Sequence, residues 1–143
     1  MLKEKYAGKY VVIGRDKNDY VKGVRHKLLA FERFLQDHPE MQGKAVLIQV
    51  SLSTSEANES QSNVSNVAAR INSNFGTIEY VPVVYLHQDI SFNYYLALLA
   101  IADASLITSL RDGMNLTSHE YDVCQEEKKS PLIISEVFNI LWI

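Results

Sequence analysis

The sequence is poor in cysteine, proline and glycine. Among its 143 residues there are one cysteine, three prolines and six glycines. A single cysteine, Cys124, excludes an internal disulfide, and an ordinary buried thiol is favoured over a reactive pair with nearby His119. The four histidines lack the spacing of zinc ligands, so the sequence carries no signature of a metal site.

Excess positive charge and long apolar runs are also missing. Fourteen Lys and Arg residues stand against 17 Asp and Glu, which gives a formal net charge of −3. Such a surface does not attract nucleic acid or anionic membranes, so an anion site must be built from a few placed cations. No apolar run reaches the roughly 18 residues that span a bilayer. The N-terminal residues Met1–Lys5 lack the apolar core of a signal peptide, and we expect a cytoplasmic location.

Apolar runs and helical periodicities alternate along the chain. Hydrophobic residues make up 47% and charged residues 22%, as in an average folded domain, so disorder is excluded. The pattern predicts strands at 10–14, 45–50, 77–81, 104–108 and 132–134, with 83–86 as a further piece of sheet or a connecting loop. It predicts helices at 24–38, from Val64 to about Phe75, at 92–102 with Ser91 as N-cap, and at 114–127. This alternation predicts an α/β fold, a Rossmann-like parallel sheet with helices on both faces.

The last residues depart from this pattern. Residues 137–143 are apolar, and no helix follows them to cover the sheet. We therefore divide the chain into a domain at 1–136 and an atypical apolar tail at 137–143. The tail indicates either a truncated chain or a segment that packs on a partner, including a second copy of the chain.

A charged loop is predicted at the carboxyl end of the first strand, where ligands bind in open parallel sheets. It runs from Gly14 to Gly23 and carries three cations and two carboxylates. Lysine supplies a point charge for phosphate, and glycine allows the backbone to approach a ligand closely. A solvated charged loop is the alternative. A hydrolase pair of Asp16 and Asp19 is disfavoured, because it would need a sugar cleft and one raised pKa.

A second loop, at 110–121, follows a buried strand and opens a helix. The backbone N–H groups from Gly113 to Leu116 are then unpaired donors at a helix start, where the dipole favours anions. Asp112 can alternatively serve only as the helix N-cap. Glu120 lies further along the helix, where its carboxylate can accept two hydroxyl hydrogen bonds, as a ribose requires. Its alternative is an exposed helix glutamate.

Both loops resemble segments of the trehalose-6-phosphate synthases, glycosyltransferase family 20. Gly14-Arg-Asp-Lys-Asn-Asp-Tyr-Val-Lys-Gly23 resembles the family segment Gly-Val-Asp-Arg-Leu-Asp-Tyr-Ile-Lys-Gly. Arg111-Asp-Gly-Met-Asn-Leu116 matches a hallmark of that family without change, and the resemblance covers residues 2–136. It implies the C-terminal, donor-binding half of a GT-B glycosyltransferase. The implied reaction is retaining transfer of glucose from UDP-glucose to glucose 6-phosphate, with no metal and no cofactor.

The resemblance also implies a role for each site residue. By position, the donor diphosphate would contact Lys17, Lys22, Leu116 and Thr117. The donor glucose would contact Asp112, Gly113, Met114 and Asn115, the ribose Glu120, and the uracil the backbone near Asp89 and Ile90.

Departures from the family pattern indicate that this chain by itself is inactive. Lys17 stands in place of an arginine, the segment 51–55 lacks the arginine of a Pro-(Ser/Thr)-Arg motif that is expected to reach the acceptor, and the acceptor half is missing. The chain is most similar to fungal regulatory subunits of the trehalose synthase complex. We expect UDP or UDP-glucose as ligand and other subunits of a trehalose synthase/phosphatase complex as partners. The alternatives are a fragment of an active α,α-trehalose-phosphate synthase (UDP-forming) and a structural interaction domain with a vestigial pocket.

Overall fold

A five-stranded parallel sheet lies at the centre of the computed structural model, which describes residues 1–17, 20–52, 58–111 and 115–135. Its β-branched, apolar runs favour strands that need cover on both faces. The strands are β1 Tyr10–Lys17, β2 Ala45–Leu52, β3 Val83–Leu86, β4 Ala104–Ile107 and β5 Leu132–Ile134. The helices are α1 Leu2–Lys5, α2 Val24–Asp37, α3 Asn58–Phe75, α4 Phe92–Ile101 and α5 Leu116–Cys124.

The order of the strands fixes where a ligand crevice can lie. The order is β3-β2-β1-β4-β5, and all neighbouring pairs are parallel. The central residue Val12 is in register with Leu47 on one side and with Ala104 on the other. From β1 the chain moves outward to β3 and then crosses back to β4, so the switch in strand order lies between β1 and β4. The predicted α/β, Rossmann-like sheet is confirmed.

Two apolar cores cover the two faces of the sheet. Residues such as Val11 and Ile13 pack with α4 and α5, including the buried ring of Tyr95. On the other face, β2 residues such as Leu47 pack with α2 and α3, including Leu28. Side chains alternate between the faces along each strand, so the face that a β1 residue occupies decides which helices it contacts.

The prediction of a strand at 77–81 is wrong. These residues form a turn in which the Thr77 N–H donates to the Tyr80 carbonyl at 2.8 Å and Thr77 Oγ1 accepts from the Tyr80 N–H at 3.1 Å. The third strand is instead β3, the segment that the sequence left as sheet or loop. The Asn72 side chain bonds both the N–H and the carbonyl of Val83 at 2.9 Å, which fixes the place where β3 starts.

Three other elements, β1, β2 and α3, are longer than the apolar pattern predicts. β1 continues from Gly14 to Lys17, because residues 15–17 pair with residues 50–52 of β2. The predicted loop is therefore shorter, and only its second half connects β1 to α2. Helix α3 begins at Asn58 rather than near Val64, since its first turns are polar and offer no apolar periodicity to detect.

Helix α5 is shorter than predicted, because it runs from Leu116 to Cys124 and not from 114 to 127. Ser91 is confirmed as the N-cap of α4, where its hydroxyl accepts a hydrogen bond from the Tyr94 N–H. The short helix α1 was not predicted. The predicted boundary at 136 and the tail at 137–143 lie outside the described residues. Among the helices described, none is both long and apolar enough to traverse a bilayer.

Candidate functional site

A buried ion pair lies beside the carboxyl end of β1. The Lys27 ammonium, on α2, is 2.5 Å from Asp16 Oδ2, and the two side chains are 0% and 3% exposed. Gln49 on β2 donates a further hydrogen bond to the same oxygen at 3.0 Å. Burial of a charge is tolerated when it is paired and hydrogen-bonded in this way. Asp16 is therefore committed to the fold and is not half of a catalytic carboxylate pair.

Gly14 does not have the predicted role, in which a glycine lets the backbone of a phosphate-binding loop approach the ligand. A Cβ at this position would lie 2.3 Å from Gln49 Oε1 and 2.4 Å from Lys27 Nζ. Gly14 therefore makes room for the buried ion pair, and not for the approach of a ligand.

Gly23 joins the loop after β1 to the loop after β4. Its φ is +65°, and a Cβ there would lie 2.2 Å from the Thr108 carbonyl oxygen. Thr108 Oγ1 donates to the Gly23 carbonyl at 3.0 Å, and the Leu110 N–H donates to the Val21 carbonyl at 2.7 Å. The two loops that the sequence singled out therefore converge at the switch in strand order. They are distant in the chain, since Gly23 and Asn115 are 92 residues apart.

Of the two predicted phosphate cations, one lies at the end of β1 and the other at this junction. Lys17 is the last residue of β1, is exposed, and lies opposite Leu52 of β2. Lys22 is half-buried and lies between Val21 and Gly23, whose carbonyls accept the two bonds from the second loop. Its backbone position is therefore fixed relative to β4.

The start of α5 follows the loop after β4. Asn115 is its N-cap, and Asn115 Oδ1 accepts from the Ser118 N–H at 2.9 Å while the Ser118 hydroxyl donates to the Asn115 carbonyl at 2.7 Å. The alternative that gave the N-cap to Asp112 is therefore wrong. The amides of Leu116 and Thr117 belong to the first turn, whose N–H groups have no acceptor within the helix. Asp112, Gly113 and Met114 lie outside the described residues.

Glu120 is held against the sheet and is not a solvated helix glutamate. The Tyr95 hydroxyl of α4 donates to Glu120 Oε2 at 2.8 Å, and Arg15 Nη1 lies 3.9 Å from the same oxygen. The Arg15 guanidinium also lies 4.5 Å from the centre of the Tyr95 ring. Burial, and then the hydrogen bond to the Glu120 carboxylate, raise the pKa of the Tyr95 hydroxyl, so it stays a donor at neutral pH.

Asp89 and Ile90 lie further away, in the connection between β3 and α4. Asp89 is exposed, whereas Ile90 packs against the core on the α4 side. They share the carboxyl end of the sheet with Lys17 and Glu120, but they follow an edge strand, with β2 between β3 and β1.

Several polar side chains near this end of the sheet were not predicted. Arg15 was counted among the cations of the first loop without a role, and nothing in the helical pattern distinguished Tyr95. Within the part of the chain that the structure describes, four buried polar atoms on β2 and around β3 lack a hydrogen-bond partner; they are Gln49 Oε1, Ser51 Oγ, Tyr85 OH and His87 Nδ1. Gln49 and Tyr85 are opposite each other in the sheet register, which sequence spacing cannot reveal.

The cavities of the described residues lie away from this candidate site. Two cavities of about 620 and 640 Å³ lie by the amino end of β1, around Lys9 and Asp103, and beside β5, around Tyr121. Neither is lined by Lys17, Lys22 or Glu120. Within the described ranges, no three His, Cys, Asp or Glu side chains are grouped as metal ligands would be.

The description of one protein family fits nearly the whole chain. The model of "Glycosyltransferase family 20" matches residues 1–139. The chain belongs to glycosyltransferase family 20. Its relatives in the family include the alpha,alpha-trehalose-phosphate synthase [UDP-forming] 56 kDa subunit of Saccharomyces cerevisiae, which is 48% identical over 94% of this chain and 28% of the yeast protein.

Solved structures of two proteins named for trehalose 6-phosphate chemistry share the fold. The trehalose-6-phosphate phosphatase N-terminal domain of Candida albicans superimposes with a TM-score of 0.92 at 45% identity, over 96% of this chain and 30% of that one. The alpha,alpha-trehalose 6-phosphate synthase of Burkholderia multivorans gives a TM-score of 0.91 at 30% identity, again over 96% and 30%. The chain thus spans less than a third of the length of each of these three proteins.

Proposed function

We propose that the chain is the UDP-glucose-binding, donor-side half of a trehalose-6-phosphate synthase-like protein, and that it acts in trehalose biosynthesis as part of a regulatory subunit of the synthase complex. The supporting observation is the pair of hydrogen bonds from Thr108 and Leu110 to the Gly23 and Val21 carbonyls. They hold a cationic loop against the segment that leads into a helix start. A diphosphate bridging the two would meet both fixed cations and free amides.

In the proposed complex, each part of the nucleotide sugar has its own contacts. Lys17, Lys22 and the amides of Leu116 and Thr117 bind the diphosphate. Glu120 accepts the ribose hydroxyls, the backbone near Asp89 and Ile90 contacts the uracil, and residues 112–115 contact the glucose. Such an arrangement of placed cations and helix-end amides stabilises a diphosphate without a metal, because its charges are already oriented before the ligand arrives.

Two observations favour a regulatory over a catalytic role. Lysine at position 17 keeps a positive charge but lacks the two-pronged donor of the arginine in active synthases. In addition, a domain with a TM-score of 0.92 and 45% identity to this chain belongs to a protein named as a phosphatase. The family 20 fold is therefore not confined to proteins named as synthases, and the proposed module binds the nucleotide sugar without transferring glucose.

Calorimetric titration with UDP and UDP-glucose tests the proposed pocket. The unmutated chain should bind UDP, and a Lys22→Ala, Glu120→Ala variant should bind at least about tenfold more weakly. A matched control removes one cation and one carboxylate from exposed positions elsewhere, in the variant Lys44→Ala, Glu127→Ala. Absence of UDP binding by the unmutated chain, or equal binding by chain and pocket variant, would remove the proposal.

The second candidate is a fragment of an active synthase. It is favoured by the yeast relative, which is 48% identical and is named as a UDP-forming synthase. Incubation of the full-length parent protein alone with UDP-glucose and glucose 6-phosphate decides between the two. Release of UDP together with a phosphorylated disaccharide assigns the chain to an active synthase, whereas UDP binding without release supports the regulatory role.

A further inference from the structure

Three side chains from three different elements meet around one carboxylate oxygen. Arg15 comes from β1, Tyr95 from α4 and Glu120 from α5. The Tyr95 hydroxyl donates to Glu120 Oε2 at 2.8 Å, Arg15 Nη1 lies 3.9 Å from that oxygen, and the Arg15 guanidinium lies 4.5 Å from the Tyr95 ring centre. All three lie at the carboxyl end of β1, on the face covered by α4 and α5.

The cluster constrains Glu120 without enclosing it. The Tyr95 residue is 2% exposed, so its hydroxyl is fixed by the packing of the ring. The Arg15 and Glu120 side chains keep 29% and 33% of their surface exposed, which leaves the carboxylate open to a ligand. At 3.9 Å the Arg15 contact is longer than a hydrogen bond, so it acts through charge. Among the described residues, both of these contacts fall on Oε2 and neither uses Oε1.

The cation in this cluster is not required by the strand. Val11 and Ile13, on the same side of β1, are apolar core residues, so an apolar residue at position 15 would continue that side of the strand. Arginine stacked on a tyrosine face gains cation–π attraction, and the same guanidinium neutralises the carboxylate beside it. A mobile glutamate would lose rotamer entropy on binding a diol, whereas a glutamate that is already held loses less.

We propose that Arg15 and Tyr95 are positioning residues for Glu120, which hold its carboxylate ready for the vicinal hydroxyls of a ribose. This inference rests on the nucleotide site proposed above. It predicts that the two residues act on the part of the affinity that depends on ribose hydroxyls and leave the diphosphate contribution unchanged.

The experiment compares UDP with 2′,3′-dideoxy-UDP, which lacks both hydroxyls, by calorimetry on the full chain. The unmutated chain should bind UDP about tenfold more tightly than the dideoxy analogue. Tyr95→Phe keeps the buried ring and removes only the hydroxyl. It should lower that ratio about threefold or more, while the affinity for the dideoxy analogue stays the same.

Arg15 is tested with two substitutions. Arg15→Val should also lower the ratio, and Arg15→Lys, which keeps the charge, should restore most of it. In a Glu120→Gln background, where the charge to be positioned is gone, Tyr95→Phe should change the ratio no further. Tyr10→Phe, which removes a tyrosine hydroxyl from an exposed position, serves as the control.

The outcomes separate this inference from the proposed function. If the unmutated chain binds neither ligand, the nucleotide site itself is wrong. If it binds UDP and the dideoxy analogue equally, or if Tyr95→Phe and Arg15→Val both keep the original ratio, the site stands and the positioning role is overturned. Unchanged affinity for the dideoxy analogue shows that each variant is folded, so a loss of ratio cannot be attributed to unfolding.

Discussion

The carbonyl of Gly23 accepts a hydrogen bond from Thr108 Oγ1 at 3.0 Å, across the switch between β1 and β4. The absence of a side chain makes this approach possible, since a Cβ would lie 2.2 Å from the Thr108 carbonyl. The residue that connects the two loops therefore has no room for a side chain unless the backbone moves.

Gly23→Ala should destabilise the chain more than Gly43→Ala does. Both glycines have positive φ, +65° and +84°, so both alanines pay the cost of a left-handed backbone, about 1 kcal/mol. Only Gly23 has backbone atoms in the space that a Cβ would fill, whereas nothing lies within 4 Å at Gly43. Urea unfolding should show a loss of at least about 2 kcal/mol for Gly23→Ala, together with weaker UDP binding. Equal losses for the two variants would contradict the steric argument.

Lys17→Arg should strengthen UDP binding. Lys17 is exposed at the end of β1, so the surface can accommodate a longer side chain there. A guanidinium can donate two parallel hydrogen bonds to a phosphate, and we expect a gain in affinity of about three- to tenfold. The control is Lys44→Arg at an exposed position before β2. If titration gives the same affinity for Lys17→Arg as for the control, the side chain of residue 17 does not contact the diphosphate.

The buried pair of Lys27 and Asp16 should respond differently to single and double substitution. Lys27→Met leaves the Asp16 carboxylate buried without its cation, which should cost about 3–5 kcal/mol of unfolding free energy. Lys27→Met with Asp16→Leu removes both charges and should recover most of that loss.

An exposed ion pair provides the comparison for that cycle. Arg33 and Asp37 lie 2.8 Å apart on α2 with side chains 74% and 50% exposed. Arg33→Met should therefore produce no measurable loss in urea unfolding. A Lys27→Met variant as stable as the unmutated chain would show that the buried pair adds nothing to the fold.

Tyr121 should make stability fall at alkaline pH. Burial raises the pKa of its hydroxyl from 10 to about 12, and the hydroxyl has no hydrogen-bond partner in the described part of the chain. The unfolded chain therefore loses this proton at lower pH than the folded chain, and stability drops between about pH 10 and pH 12. Tyr121→Phe should be as stable at pH 8 and should lose less stability between pH 8 and pH 11, whereas the exposed control Tyr10→Phe should follow the unmutated chain. Identical pH profiles for both variants would contradict the prediction.

The sheet was predictable because its strands are apolar runs of limited length. Residues 45–50 and 132–134 are buried or edge segments whose composition alone favours β structure, and helix α2 buries apolar residues at regular helical spacing. The failure at 77–81 has a local cause. That segment contains β-formers such as Ile78 and Tyr80, but the Thr77 side chain closes a turn and Ile78 is fully exposed. The composition of this segment indicates a β propensity, but the hydrogen bonds of the turn determine its structure.

For the candidate site, the sequence predicted which loops and charged residues could contribute, but not how their side chains contact one another. Loop positions after β1 and β4 suggested Lys22 and Glu120 as candidates, since parallel strands end at the same edge of a sheet. The contacts of Glu120 with Arg15 and Tyr95 depend on which face of β1 and of α4 each side chain occupies. The spacing of residues along the chain does not reveal this, because Arg15 and Tyr95 are 80 residues apart. The prediction for Gly14 was wrong for the same reason, because the side chains that surround Gly14, Lys27 and Gln49, come from other elements.

The bond from the Leu110 N–H to the Val21 carbonyl, at 2.7 Å, has a consequence for solvent exchange. An amide in a surface connection usually trades its hydrogen for deuterium quickly, but this one can do so only when the two connections separate. Its protection factor in deuterium oxide therefore measures how often the crevice opens. A bridging diphosphate would slow that exchange without touching the amide itself.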